Sequence, residues 1–221
     1  MTLARIGSGA IVCVAAVTLI SAGCAADGAL SQVSLRPQCA TDDTMCLSQG
    51  LNAPIAAGSS LPLHIDIHFA GASAPAFALR SANTDVFNVS GATLDAQVDG
   101  VAALLVTTED GNSVLDFIHL FVKTPDALHL ERVDPDRRST FNDEVELVVG
   151  DSVTLVAVLA NGAQALLGDV ETDWHAEGDA LSILRTGILT QREIRARNPG
   201  ETTLLVTAAG LSSSLTIRVL P

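Results

Sequence analysis

Few of the 221 residues are of types that do chemistry, and those that are fall into small groups. His64, Asp66 and His68 lie in "HIDIH". On a strand, alternate side chains share one face at steps of about 7 Å, so the three would project together. Two imidazoles and a carboxylate make an acceptable zinc ligand set, and the same residues equally serve as the wet face of a strand. Cys39 and Cys46 form an even pair, which in an exported chain suggests a disulfide, while half a zinc site would need a second cysteine or histidine pair that is missing. Acidic and amide residues gather at Asp126, Asp134, Asp136, Asn142, Asp143 and Glu144; such oxygens suit Ca²⁺, but no spaced Asp-x-Asp-x-Asp-Gly loop occurs. There is no Gly-x-Ser-x-Gly elbow and no phosphate-cradling glycine loop, and none of the five histidines neighbours a Ser or Cys in a recognisable pattern. The expectation is a chain that is not an enzyme and calls for no cofactor, with metal-dependent ligand binding through His64, Asp66 and His68 as the alternative to a metal-free binding role.

The amino terminus decides where such residues would work. Arg5 precedes a ten-residue apolar run, Ile11 to Ile20, which suits a secretory leader and is too short to cross a bilayer. It ends in Ser21, Ala22, Gly23 and Cys24, which resembles the lipobox of bacterial lipoproteins, although the family prefers Leu where Ser21 stands. The resemblance implies cleavage before Cys24, with residues 1–23 leaving as signal peptide, Cys24 becoming the acylated amino terminus and residues 24–28 acting as a short tether. An ordinary signal peptide with an incidental cysteine is the alternative. A multiply acylated end holds a protein on a membrane far longer than one chain does. Ala25 and Ala26 follow the cysteine, and the lack of an acidic residue there favours the outer membrane over the inner one.

Composition narrows the partners. The net charge of -13 repels phosphate backbones, so nucleic acid is excluded as an expected partner. Hydrophobic residues make up 48% but aromatics only 3%, with no Tyr, so any core is built from Ala, Val, Leu and Ile.

An internal repeat sets the architecture. "LSQVSLRP" from Leu30 matches "LHLERVDP" from Leu128, "AAGSSLPLHI" around Gly58 matches "VVGDSVTLVA" around Gly150, and "GVAALLVTT" from Gly100 matches "GETTLLVTA" from Gly200, at offsets of 98, 92 and 100. Ordered matches at near-constant spacing indicate two copies of one domain, here residues 29–124 and 126–221. Six extra residues between Pro37 and Gly58 bracket Cys39 and Cys46, so the cysteine pair pins an insertion. The excess in the second copy is expected in "TQREIRARNP", read as a charged loop. Leu61, Leu63, Ile65, Ile67 and Phe69 alternate with polar neighbours, as do Leu215, Ile217 and Val219, and each pattern predicts a strand with one wet face. Asp110 and Gly111 in "TEDGNS" predict a tight hairpin, and "AAGLSS" keeps the glycine. With no long helical periodicity after the leader, the expected class is all-β, two sandwiches in tandem.

The second copy resembles the bacterial immunoglobulin-like family, group 2, through "VVGDSVTL" (Val148 to Leu155), the lone Trp174 in "ETDWHAEGD", "RTGILT" around Gly187, and "NPGETTLLVTAAG" closing into "SLTIRV". The first copy is a degenerate match in which Leu79 or Phe77 takes the place of the Trp. The resemblance implies non-catalytic binding, adhesion or spacer modules with no shared catalytic residues. If the last strand of copy one keeps the phase of Leu215, Ile217 and Val219, then Phe117, His119 and Phe121 point outward as an apolar stripe, which marks an interface with the second domain or with a protein or polysaccharide of the envelope. A phase slip would put them in the core instead.

Overall fold

The computed structural model describes residues 31–39, 43–69, 76–134, 137–140 and 144–221. The lipobox residues Ser21 to Cys24 and the tether, Asp136, Asn142 and Asp143, and the side chain of His68, lie outside them. Residues Ser31–Pro221 form one compact unit.

The first half runs β1 (Ser31–Pro37), a short helix α1 (Thr44–Gln49) with a 3-10 turn at Gly50–Asn52, β2 (Ile55–Ala56), β3 (Ser60–Phe69), β4 (Phe77–Ser81), β5 (Phe87–Ser90), β6 (Thr93–Ala96), β7 (Gly100–Thr108) and β8 (Val114–Lys123). The second half runs β9 (Ala127–Asp134), β10 (Arg137–Thr140), β11 (Glu144–Val148), β12 (Ser152–Asn161), β13 (Gln164–Ala165), β14 (Thr172–Ala176), β15 (Leu181–Arg185), β16 (Gln191–Ala196), β17 (Gly200–Ala208) and β18 (Leu211–Leu220).

These strands make four sheets in two matching pairs. In the first half the orders are β1-β3-β6-β5 and β2-β8-β7-β4; in the second they are β9-β12-β16-β15, extended by β10, and β11-β18-β17-β14. Each half therefore repeats one topology, and both β2 and β11 run parallel to the last strand of their sheet. With strands lettered A to G along the chain, this is the A-B-E-D and C-F-G arrangement of immunoglobulin-like sandwiches. Each pair of sheets closes on a mainly aliphatic core, with Phe87 fully buried in the first where Ala, Val, Leu and Ile alone were expected. Leu61, Leu63, Phe87 and Leu94 face Leu104, Leu120 and Val122 in the first; Leu155 and Ile194 face Leu204, Val206, Leu215 and Ile217 in the second.

Matched registers decide one open choice, and the structure corrects two further expectations. Leu79 pairs with Val106 as Trp174 pairs with Val206, so Leu79 occupies the tryptophan position while Phe77 is exposed. "TQREIRARNP" is not a loop: Gln191–Ala196 is β16, paired to β12 and β15, because Gln191, Arg192, Ile194 and Ala196 are buried. The extra length of the second copy is instead a longer β15–β16 hairpin with its turn at residues 186–190. "TEDGNS" is a wide loop rather than a tight turn, with Thr108 N–H bonded to Ser113 at 2.9 Å and Gly111 in the left-handed region at φ 73°. The two-residue hairpin lies in the second copy, where Ala208 faces Leu211 across Ala209 and Gly210.

The halves interlock. Ala56 N–H donates to Leu167 O and Leu167 N–H to Pro54 O, both at 2.8 Å, while Ser60 and Asp169 exchange bonds of 3.0 and 2.7 Å. Ala56 packs into the second core and Leu167 into the first. Gly168, at φ +112°, lies so close to the first half that a Cβ would stand 2.0 Å from Ser59 Oγ. On β12 the joint covers the face that would otherwise be wet, so Val156, Val158 and Ala160 are buried as fully as Leu155, Ala157 and Leu159 on the core side.

Candidate functional site

The outer face of β7 and β8 is set by the period of two along each strand. Leu120 and Val122 are fully buried, which turns Phe117, His119 and Phe121 outward; Phe117 is 55% and Phe121 45% exposed. The register with β7 sets Phe121 beside Val101, His119 beside Ala103 and Phe117 beside Leu105. Val101 is 52% and Val114 56% exposed, so the apolar stripe continues across both strands. The rings of Phe117 and His119 stand edge to face, 5.5 Å apart at 88°.

The second sandwich carries a more polar version of this face. Gly100 faces Val122 as Gly200 faces Val219, so Phe121, His119 and Phe117 correspond to Arg218, Thr216 and Ser214, whose partners on β17 are Glu201, Thr203 and Leu205. The fold accepts a charged and hydroxylated surface at these positions. The aromatic residues of the first copy are therefore not required by packing.

Of the histidine group, the side chains of His64 and Asp66 are described, and they meet. His64 Nε2 lies 3.1 Å from Asp66 Oδ1, and Arg36 donates from Nη2 to Asp66 Oδ2 at 3.4 Å. Asp66 thus already has a cation against one oxygen, and no group of three or more metal-ligating side chains is found among the described residues. At the junction, the Asp126 carboxylate accepts from Gly162 N–H at 2.9 and 3.1 Å, and Asn161 Nδ2 donates to Thr124 O at 2.9 Å. Glu144 opens β11, paired to Thr216.

Cys39 and Cys46 are disulfide-bonded, with an S–S length of 2.04 Å. The bridge ties α1 to the end of β1, and the Asp43 carboxylate caps α1 by accepting from Cys46 N–H at 3.0 Å. Asp43 also accepts from Arg138 Nη2 of the second half at 3.1 Å, across a pair that is largely shielded from solvent. Nε of Arg138 is buried with no hydrogen-bond partner. These residues, with Asp169 and the β15–β16 turn, border a cavity of about 380 Å³ in the joint. Burial raises the Asp169 pKa, and the nearby Asp43 charge adds to the shift.

Sequence reasoning missed the turn's own anchor. Arg192, buried on β16, donates from Nη1 to Ile188 O, Leu189 O and Gln191 O at 3.1, 3.0 and 2.7 Å and lies 5.9 Å from the Trp174 ring. Burial, with Arg185 nearby, lowers its pKa from the ordinary arginine value. Trp174 Nε1 donates to Thr172 Oγ1 at 2.9 Å, and that hydroxyl donates to Leu189 O. Within "TQREIR" nothing in residue type distinguishes this arginine from the exposed Arg195, so no sequence signal pointed to it.

No family model matches the chain, and no curated protein does. Among solved structures, domains 4 and 5 of the S-layer protein SbsC align at 14% identity and TM-score 0.32 over 70% of this chain and 82% of that one. The Yersinia pseudotuberculosis adhesin InvE aligns at 14% identity and TM-score 0.35 over 86% of this chain and 59% of that one. Invasin, a bacterial integrin-binding protein, aligns at 12% and 0.32 over 85% and 40%. The chain spans only 28% of a longer SbsC structure. Fold class rests on the strand order given above, and function on the residues of the site. Among the described residues no helix is long and apolar enough to cross a membrane.

Proposed function

We propose that the protein is a lipid-anchored, non-catalytic module of the cell envelope, held through Cys24 on the outer membrane, whose two immunoglobulin-like domains, residues 29–124 and 126–221, present the outer face of β7 and β8 to a protein or polysaccharide partner. The observation that carries this reading is the contrast between the copies: one scaffold places Phe117, His119 and Phe121 where its sibling places Ser214, Thr216 and Arg218. Exposed contiguous apolar surface is costly for solubility and usually marks an interface. The interlocked joint suits this role, because it fixes the direction in which the binding face points.

Two measurements test the proposal. Cys24→Ser should move the protein from the membrane fraction to the soluble periplasm, and unchanged retention would defeat the anchoring. A photo-reactive amino acid at Phe121 should cross-link an envelope component in intact cells while the same probe at Arg218 captures none; equal capture at both positions would remove the distinction between the faces.

A further inference from the structure

The edge of β8 differs from that of its counterpart as much as its face does. In the second sandwich β11 pairs with β18 from Thr216 to Leu220, whereas in the first β2 pairs with β8 only at Val122 and Lys123. The positions equivalent to Thr216 through Arg218, namely His119 to Phe121, pair with β7 on one side and, among the described residues, have no strand of that sheet on the other. The cause lies in the sequence: Pro54, which has no N–H, precedes β2, and the chain before it is turned away into α1 and the 3-10 turn that Cys39 and Cys46 staple. Ala57 N–H donates to Lys123 O at 2.9 Å, so the odd-numbered residues of β8 aim their backbone groups toward this open side. The Phe117 N–H is covered locally, by the carboxylate of Asp116 at 2.8 Å. Among the described residues, that leaves the His119 N–H and C=O, the Phe117 C=O and the Phe121 N–H as a row of main-chain groups directly beside the aromatic stripe.

We infer that β8 is a strand-addition site: an extended segment of a partner protein pairs with its open edge around His119 and lays alternate apolar side chains over Phe117 and Phe121. This rests on the reading of the β7–β8 face as the binding face and names its partner. An open backbone row is complementary only to another backbone, and extended peptides that extend a sheet take their affinity from such bonds and their selectivity from alternate side chains. A sugar would want a flat ring platform, but Phe117 and His119 stand at 88° to one another. A second copy is disfavoured by charge, since the chain carries -13 overall, with Glu109 and Asp110 in the β7–β8 loop and Asp116 near the start of β8. The same acids favour a partner strand with basic residues on its outward positions.

The test uses purified full-length protein and a capped synthetic octapeptide of alternating valine and lysine. Saturable binding is expected, with exchange of the His119 and Phe121 amides slowed at least about ten-fold while the exchange of Thr216 and Arg218 is unchanged. His119→Pro should weaken binding at least about ten-fold without lowering the melting temperature, because that N–H lies outside the ladder with β7 and proline is tolerated on such an edge. Should His119→Pro prove unstable, His119→Lys leaves the ladder intact and sets a positive charge against the cationic probe, with the same weakening expected. No slowing at about 1 mM peptide, or equal binding by these variants, overturns the inference. So does a concentration-dependent dimer in sedimentation that His119→Pro abolishes, since it gives the edge to a second copy. Cross-linking at Phe121 that survives His119→Pro would leave the binding face standing and sink strand addition alone.

Discussion

Asp169 shows how a single side chain registers the joint between the halves. Its main chain is fully used, with N–H and C=O both bonded to Ser60, while its carboxyl is half-buried near Asp43 and its pKa is raised from the ordinary 3.8. A raised folded-state pKa means that the folded chain holds this proton more tightly than the unfolded chain. The group therefore favours folding most below about 3.8, and that contribution is lost as pH rises through the folded value. Asp169→Asn should unfold at higher denaturant concentration than the parent at about pH 7.5 and at the same concentration near pH 3.5. An equal effect at both pH values would show that the charge of this carboxylate is not what burial opposes. None of this was legible in the sequence, where Asp169 is one of twenty-five acids and its neighbour Asp43 lies far away along the chain.

At the scale of strands and turns, local pattern and structure agree where one face of a strand meets water. The period of two in Leu215, Ile217 and Val219 gave the phase of β18 and, through the repeat, the outward direction of Phe117, His119 and Phe121. It fails where a charged residue faces inward: in "QREIRA" Arg192 shares the buried face of Ile194 and Ala196 while Arg195 is exposed, and the bonds to three carbonyls that hold this arginine leave no mark in the periodicity. The turns were legible by residue type but not by length. Ala209 occupies the first position of the β17–β18 turn at φ 51°, a left-handed conformation that costs an ordinary L-residue about 1–2 kcal/mol. Asparagine tolerates it better and, before Gly210, makes the favoured Asn-Gly pair, so Ala209→Asn should stabilise the protein by about 0.5–1 kcal/mol in thermal unfolding. A loss of stability would mean that the Ala209 methyl packs usefully. The Cys39–Cys46 staple acts at the same scale. Replacing both cysteines by serine should cost about 2.5 kcal/mol by the loop-entropy estimate for this short ring, read as a lower denaturation midpoint. No change in the midpoint would show that α1 is held by its other contacts.

For the whole of Ser31–Pro221, the decisive feature is that duplicated sandwiches are joined through backbone rather than through a linker alone. The repeat was visible in sequence because its motifs are short and ordered. The joint was not, because it pairs residues 54–60 with residues 167–169, about a hundred positions apart, through main-chain groups that leave no mark in residue type. The mark it does leave is Gly168, where a Cβ would meet Ser59 Oγ at 2.0 Å and Ser60 O at 3.4 Å, and where φ is +112°. Ser59 cannot easily yield, since it is buried and its hydroxyl donates to Ala56 O at 2.6 Å. Gly168→Ala should therefore break the joint, drawing Ala56 and Leu167 out of the opposite cores while leaving the rest of each sandwich packed. The expected cost is about 2–4 kcal/mol of coupling, seen as faster amide exchange at Ala56, Ser60 and Leu167 than at Leu104 or Leu204 and as two calorimetric transitions in place of one. If the variant keeps those three amides as protected as the parent does, the halves are held by something other than this contact, and a binding face fixed by the joint loses its physical basis.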